Sequence, residues 1–270
     1  MGVFETSAKR ATHVKRDELY TIYGKPGTGK TVLTSSFPGT HKQPQCYFDI
    51  FEGGTDSIPH ERRDNIVVVT ITVFNELKQA LEDILRGYAV TKDEKKLPLN
   101  FGSVALDSVT QLEELIKKAL MKEHGQTTMT IPMWVKLKST FEELFNLLKQ
   151  IQAEKEIPVV IIAHEKEQRD DENPAFNRLI PSLTTSISAN MCAKSSYVWY
   201  TDIEKQTTID PETKKTVEKM LYTTTIDGHP YLNTKCRKPP TVVIPQKMVD
   251  LTYDKFKSKV LSLVDKKEEE

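Results

Sequence analysis

The chain has 270 residues, 38% of them hydrophobic, enough for one large core or two small ones. Its 38 lysines and arginines equal its 38 aspartates and glutamates, which excludes a bulk positive field, so any nucleic-acid binding must come from local patches. Cys46, Cys192 and Cys236 stand far apart, with no CxxC pair and no histidine at ligand spacing, which argues against a disulfide framework or a zinc site and for reduced thiols.

The opening MGVFETSAKRATHVKR lacks the apolar stretch of a signal peptide, and the longest apolar runs are strand-sized. A cytoplasmic protein with no membrane segment is expected. Residues 1–16 are expected to form a flexible basic lead, residues 17–264 the main domain, and residues 265–270 an acidic tail. Strands are predicted at Leu19 to Tyr23, Cys46 to Phe51, Ile66 to Ile71, Ser103 to Leu106 and Val159 to Ala163. Helical spacing covers Val73 to Tyr88, Thr110 to Glu123 and Pro132 to Glu156. In the last of these, Trp134, Leu137, Phe141, Leu144, Phe145 and Leu148 fall on one face expected to be buried. From Tyr197 the texture changes to YVWYT, VEKMLYTTTI and PYLNTK, strand-like runs with an Asp227-Gly228 turn between the last two. A final helix is expected near Tyr253 to Val264. The alternation predicts an α/β fold, a mostly parallel central sheet flanked by helices, with antiparallel strands at the C-terminal end.

The strongest local signal is GKPGTGKT, residues Gly24, Lys25, Pro26, Gly27, Thr28, Gly29, Lys30 and Thr31, followed by Val32. It matches the phosphate-loop pattern G-x-x-x-x-G-K-[ST], directly after a predicted strand and opening a helix. Glycines let backbone N–H groups turn toward a phosphate, Lys30 would reach the β- and γ-phosphates, and the Thr31 hydroxyl would hold magnesium. A Gly/Pro-rich turn without a ligand is the bland alternative. SVALDS places Asp107 at the end of an apolar strand, suited to a magnesium shell or to capping the next helix. CYFDIFEGG places Glu52 at the mouth of the second strand, where a carboxylate could deprotonate an attacking water; Asp49 could serve instead, or Glu52 could be an exposed turn residue. IPVVIIAHEK ends a strand in His164, either a reporter of the γ-phosphate or a structural residue.

Taken in order, these motifs resemble the RecA-type recombinase core. The short N-terminus, the EGG after the second strand and the AH at the strand that ends in His164 are similar to the small phage RecA-like ATPases of the Sak type, which promote single-strand annealing. The resemblance implies a RecA-like P-loop NTPase core, ATP and Mg2+ as ligands, single-stranded DNA as partner, and Glu52 as the catalytic carboxylate. It also implies a homo-oligomer, ring or filament, with a single-strand-binding protein as a further partner, and a host cytoplasm as location. Where RecA has glutamine at the sensor position, this chain has His164. DNA would be met by His124 to Pro132 and by Glu165 to Pro181, where Phe176 could stack on a base while Lys166, Arg169 and Arg178 meet phosphates. The acids of that loop oppose DNA, so an ordinary solvated loop is the alternative. NTKCRKPP resembles the K-x-K segment with which a neighbouring RecA subunit completes the active site. Strand alternation puts Lys235 and Arg237 on one face and Cys236 on the other, and a solvated surface strand is the alternative. Phe4-Glu5-Thr6-Ser7 is similar to a Phe-x-x-small tether between subunits. A ring helicase, a helicase loader, a small-molecule kinase and a nucleotide-gated clamp use the same loop and stay open as alternatives.

Overall fold

The computed structural model describes residues 16–51, 53–169, 177–209 and 216–264. Glu52, Phe176, the Phe4 segment and the acidic tail lie outside the described residues. In chain order the elements are β1 (Leu19–Gly24), α1 (Lys30–Ser35), β2 (Gln45–Asp49), α2 (His60–Arg63), β3 (Ile66–Thr70), α3 (Phe74–Arg86), β4 (Tyr88–Val90), β5 (Lys96–Pro98) and β6 (Ser103–Asp107). They continue with α4 (Val109–Glu123), α5 (Ile131–Lys155), β7 (Val159–Gln168), β8 (Arg178–Pro181), α6 (Thr185–Lys194), β9 (Tyr197–Ile209), β10 (Thr216–Thr225), β11 (Lys235–Cys236), β12 (Lys247–Val249) and α7 (Tyr253–Phe256).

The main sheet runs β12-β10-β9-β1-β7-β6-β2-β3. Strands β9, β1, β7, β6, β2 and β3 are parallel, while β10, β12, β11 and β8 pair antiparallel. The fold is therefore the expected α/β arrangement, mostly parallel with an antiparallel C-terminal end. Strands β1, β2 and β6 are buried throughout because both faces are covered. Alternation sorts β1 between two cores: Leu19 and Tyr23 face helices α3 to α6, whereas Tyr20 and Ile22 face an aromatic cluster of Phe37, Tyr197, Trp199 and Phe256.

Several expectations are corrected. Leu137, Phe141, Leu144, Phe145 and Leu148 are buried, but Trp134 is 39% exposed and Met133 takes its place inside. The indole carries the Lys117 ammonium 5.4 Å over its ring, a contact that suits an amphipathic side chain at the surface. Helix α3 stops at Arg86 because Gly87 turns left-handed at φ 83, a common helix-ending conformation. PYLNTK is not a continuous strand: a turn occupies Pro230 and Tyr231, Leu232 makes an isolated bridge to Leu179 of β8, and pairing with β9 starts only at Lys235. Strand β7 continues five residues past its expected end, to Gln168, where it forms a hairpin with β8.

Candidate nucleotide-binding site

Strand β1 delivers the phosphate loop at the carboxyl end of the sheet, beside Thr201 of β9 and His164 of β7. Gly24 is obligatory there, since a Cβ would lie 2.3 Å from the Thr201 carbonyl oxygen. Thr28 Oγ1 donates to the Lys25 carbonyl at 2.8 Å and lies 2.8 Å from Thr201 Oγ1, which pins the loop to β9. Gly29 enters α1 at φ 85, with the Tyr222 ring 3.1 Å from where its Cβ would stand. Lys30 is buried, and its ammonium donates to the carbonyls of Gly24 at 3.0 Å and Lys25 at 2.7 Å. Above the loop opens a cavity of about 670 Å³. A buried ammonium at its floor, beside backbone stripped of side chains, fits a triphosphate.

Across the loop, Asp107 and Asp49 end adjacent strands in direct register. Asp107 Oδ2 accepts from Thr31 Oγ1 at 3.0 Å and from the Tyr47 hydroxyl. The helix cap is made by Ser108 instead, whose side chain accepts from the Gln111 N–H, so the Asp107 carboxylate serves the loop side. Burial first, and then the Asp107 charge, hold the Tyr47 phenol far above its ordinary pKa, keeping it a donor that orients Asp107. Thr31 and Asp107 supply the hard oxygens that would hold Mg2+. Among the described residues no group of three His, Cys, Asp or Glu is placed to hold a metal. Asp49 Oδ1 accepts from the Gly53 N–H at 3.2 Å. The next residue, Gly54, faces Thr31 Oγ1 and Asp107 Oδ2, 3.4 and 4.0 Å from where its Cβ would stand.

His164 is half-buried in the cavity wall, its N–H donating to Thr110 Oγ1 at 3.0 Å and its carbonyl accepting from Ser182 N–H at 2.7 Å. The next residue, Glu165, lies 4.0 Å from the Lys25 ammonium of the loop and also hydrogen-bonds Tyr200.

Over residues 17–233 the sequence matches the AAA domain family. The chain belongs to the AAA domain family. It is accordingly an NTPase of the P-loop type. No curated protein matches it. Among solved structures it is similar to the RadB recombinase, at 15% identity and a TM-score of 0.42 over 79% of this chain and 81% of that one. It is also similar to the flagellar accessory protein FlaH from Methanocaldococcus jannaschii, at 12% identity and a TM-score of 0.43 over 87% and 85%.

The remaining candidates lie elsewhere in this AAA-domain chain. Arg169 and Arg178 are exposed at the far end of the β7–β8 hairpin, where Gln168 pairs with Arg178. The Lys166 ammonium donates to the Leu183 carbonyl, bracing the hairpin on the chain itself. Residues 124–130 form an exposed connection between α4 and α5. Lys235 and Arg237 sit at the opposite end of the sheet from the loop, since Cys236 pairs with Tyr197 whereas the loop begins beside Thr201. That separation is about 13 Å along β9, which sets both cations apart from the phosphate loop of this chain. Lys235 also donates to the carbonyls of Cys192 at 3.3 Å, Ala193 at 3.1 Å and Ser195 at 2.6 Å, capping helix α6. Arg237 is exposed and pairs with Asp17 at 3.3 Å. Tyr47, Thr201 and Tyr222 escaped the sequence reading. Tyr47 alone had a usable signal, a hydroxyl inside a strand running toward an acid.

Proposed function

We propose that this NTPase is an ATP-dependent single-stranded-DNA-binding protein of RecA type, a recombinase or annealing protein similar to the small phage ATPases, working as a homo-oligomer in the cytoplasm. The observation that supports the reading most is the continuity of β7. One strand carries His164 in the nucleotide cavity and runs on as the hairpin whose far end displays Arg169 and Arg178. A change at the γ-phosphate thus has a direct covalent route to a basic tip. The hairpin's acids are partly engaged inside the chain, Glu165 by Lys25 and Tyr200, and Glu167 by Asn177 Nδ2 at 2.5 Å.

In this reading the loop N–H groups and Lys30 hold the triphosphate, and Thr31 and Asp107 would hold Mg2+, which would supply positive charge against the charge that develops on the phosphates. Glu52 takes a proton from the attacking water as that oxygen bonds the γ-phosphorus and the bond to the β,γ-bridging oxygen breaks. His164 reads the γ-phosphate. Arg237 is offered to the site of the next subunit, so hydrolysis depends on assembly. Phe176, with Arg169 and Arg178, meets DNA.

The test is ATP hydrolysis with and without single-stranded DNA at matched salt. Strong stimulation is expected, together with weaker DNA binding and a salt slope reduced by about two for Arg169→Ala/Arg178→Ala. Hydrolysis indifferent to DNA, with DNA affinity unchanged in the double variant, refutes it. Unwinding of a forked duplex would instead indicate a helicase.

A further inference from the structure

The cavity over the phosphate loop has two unlike walls. Gly53, Gly54 and Asp107 form the wall that would receive the γ-phosphate and Mg2+. The other is built from the far end of the chain, by Tyr222 on β10 and by Asp250 and Leu251 after β12. Among the described residues, Tyr222 is the one phenol ring that lines the cavity. It rests against Gly29, yet 47% of the residue is accessible, so part of its surface stays open.

This second wall is held as one unit. The Asp250 N–H donates to the Tyr222 carbonyl at 2.8 Å, and the Lys255 ammonium donates to the Asp250 carbonyl at 2.7 Å. Asp250 is thereby kept at φ 47, a left-handed conformation uncommon outside glycine. Such positions cluster where a ligand is clamped. The segment also abuts α1, because the Tyr253 N–H donates to Ser36 Oγ at 2.8 Å. With the γ end of a triphosphate fixed at Thr31 and Asp107, the nucleoside end has to leave toward this wall.

We propose that Tyr222 and Asp250 form the nucleobase subsite: the phenol ring stacks on the base, and the Asp250 carboxylate accepts a hydrogen bond from an exocyclic amino group. This rests on the reading of the loop as a nucleotide site and adds base selection to it. An ionised carboxylate only accepts, so it favours the amino edge of adenine over the keto edge of hypoxanthine.

Calorimetry on the full chain with magnesium, using ATP, ITP and inorganic tripolyphosphate, tests the subsite. Wild type should bind ATP about ten-fold more tightly than ITP. Tyr222→Ala should weaken ATP about ten-fold, within the range of base–aromatic stacking, and leave tripolyphosphate unchanged, which also reports an intact loop. Tyr222→Phe should bind ATP as wild type does. Asp250→Asn should bring ATP and ITP close to parity. If wild type binds ATP and tripolyphosphate but Tyr222→Ala binds ATP equally well, the subsite is wrong and the loop reading stands. An ATP to ITP ratio unmoved by Asp250→Asn also overturns it. A wild type that binds neither ATP nor tripolyphosphate overturns both.

Discussion

Lys235→Met separates two roles for the same cation. The substitution keeps the aliphatic stem and removes the ammonium that serves the carbonyls of Cys192, Ala193 and Ser195. Cys192 and Ala193 belong to the last turn of α6, whose carbonyls have no partner within the helix, and Ser195 is fully buried. A charged donor contributes about 1.5–3 kcal/mol net, and a cation at a helix C-terminus adds about 0.3–1 kcal/mol. Against this stand lysine ordering, of up to about 2 kcal/mol, and the burial and Arg237 repulsion that lower the Lys235 pKa. A net loss of about 1–2 kcal/mol is expected, or about 2–8 °C in the unfolding midpoint for a domain of this size. Arg237→Ala breaks only an exposed pair with Asp17, which Lys149 also approaches at 3.3 Å, and should cost less than about 1 kcal/mol. Thermal denaturation and hydrolysis per folded protein are measured side by side. Lys235→Met should be less stable with ordinary turnover; Arg237→Ala should be stable with impaired turnover, partly restored by mixing with Lys30→Ala subunits. An unchanged midpoint with lost hydrolysis in Lys235→Met would refute the capping argument and return Lys235 to the subunit interface.

Asp107→Asn should lower magnesium-dependent hydrolysis by about a hundred-fold or more while magnesium-free nucleotide binding persists; equal turnover would remove Asp107 from the metal site. Gly24→Ala places a methyl 2.3 Å from a backbone oxygen, so nucleotide binding should disappear along with several degrees of thermal stability, and a variant that binds normally contradicts the geometry. Burial pushes all three thiols up to about 12 from 9.0. Between those values the native state holds protons that the unfolded chain releases, so stability present below pH 9 falls as pH rises, by up to about 4 kcal/mol per pH unit. Urea midpoints should drop between pH 8.5 and 10, with no alkylation of native protein at pH 8; a flat profile would show that the thiols are not desolvated.

Much of the scaffold was legible because each signal was local. The loop pattern, the strand ending in Asp107 and the five-residue stripe of α5 each depend on residues close in sequence. What escaped was set by partners far away. Tyr47 reads as one more core aromatic until β2 and β6 align and bring its hydroxyl to Asp107. Lys235 reads as a free cation until α6, itself missed in a polar stretch of weak periodicity, ends beneath it. Trp134 sits on the apolar stripe, and only the passing Lys117 shows why that turn faces water. Glu52 stays a sequence expectation, since it lies outside the described residues.

The same long-range pairings bear on how nucleotide state could reach the hairpin. Strand β8 is tied to β1 by the Tyr23 hydroxyl, which donates to the Leu179 carbonyl at 3.0 Å, just before the loop begins. Glu165 approaches Lys25 within the loop itself, and Lys166 anchors the hairpin's return to Leu183. The hairpin therefore has three attachments near the nucleotide, while its exposed arginines lie beyond all of them. A shift of the loop around a γ-phosphate would act at the base of this lever. The far end of the hairpin, where Gln168 pairs with Arg178, would then carry the displacement toward the side where DNA is expected. Coupling of this kind needs no second domain, only that β7 be longer than the strand it flanks. It is five residues longer than its apolar core VVIIA, and those added residues are the polar HEKEQ.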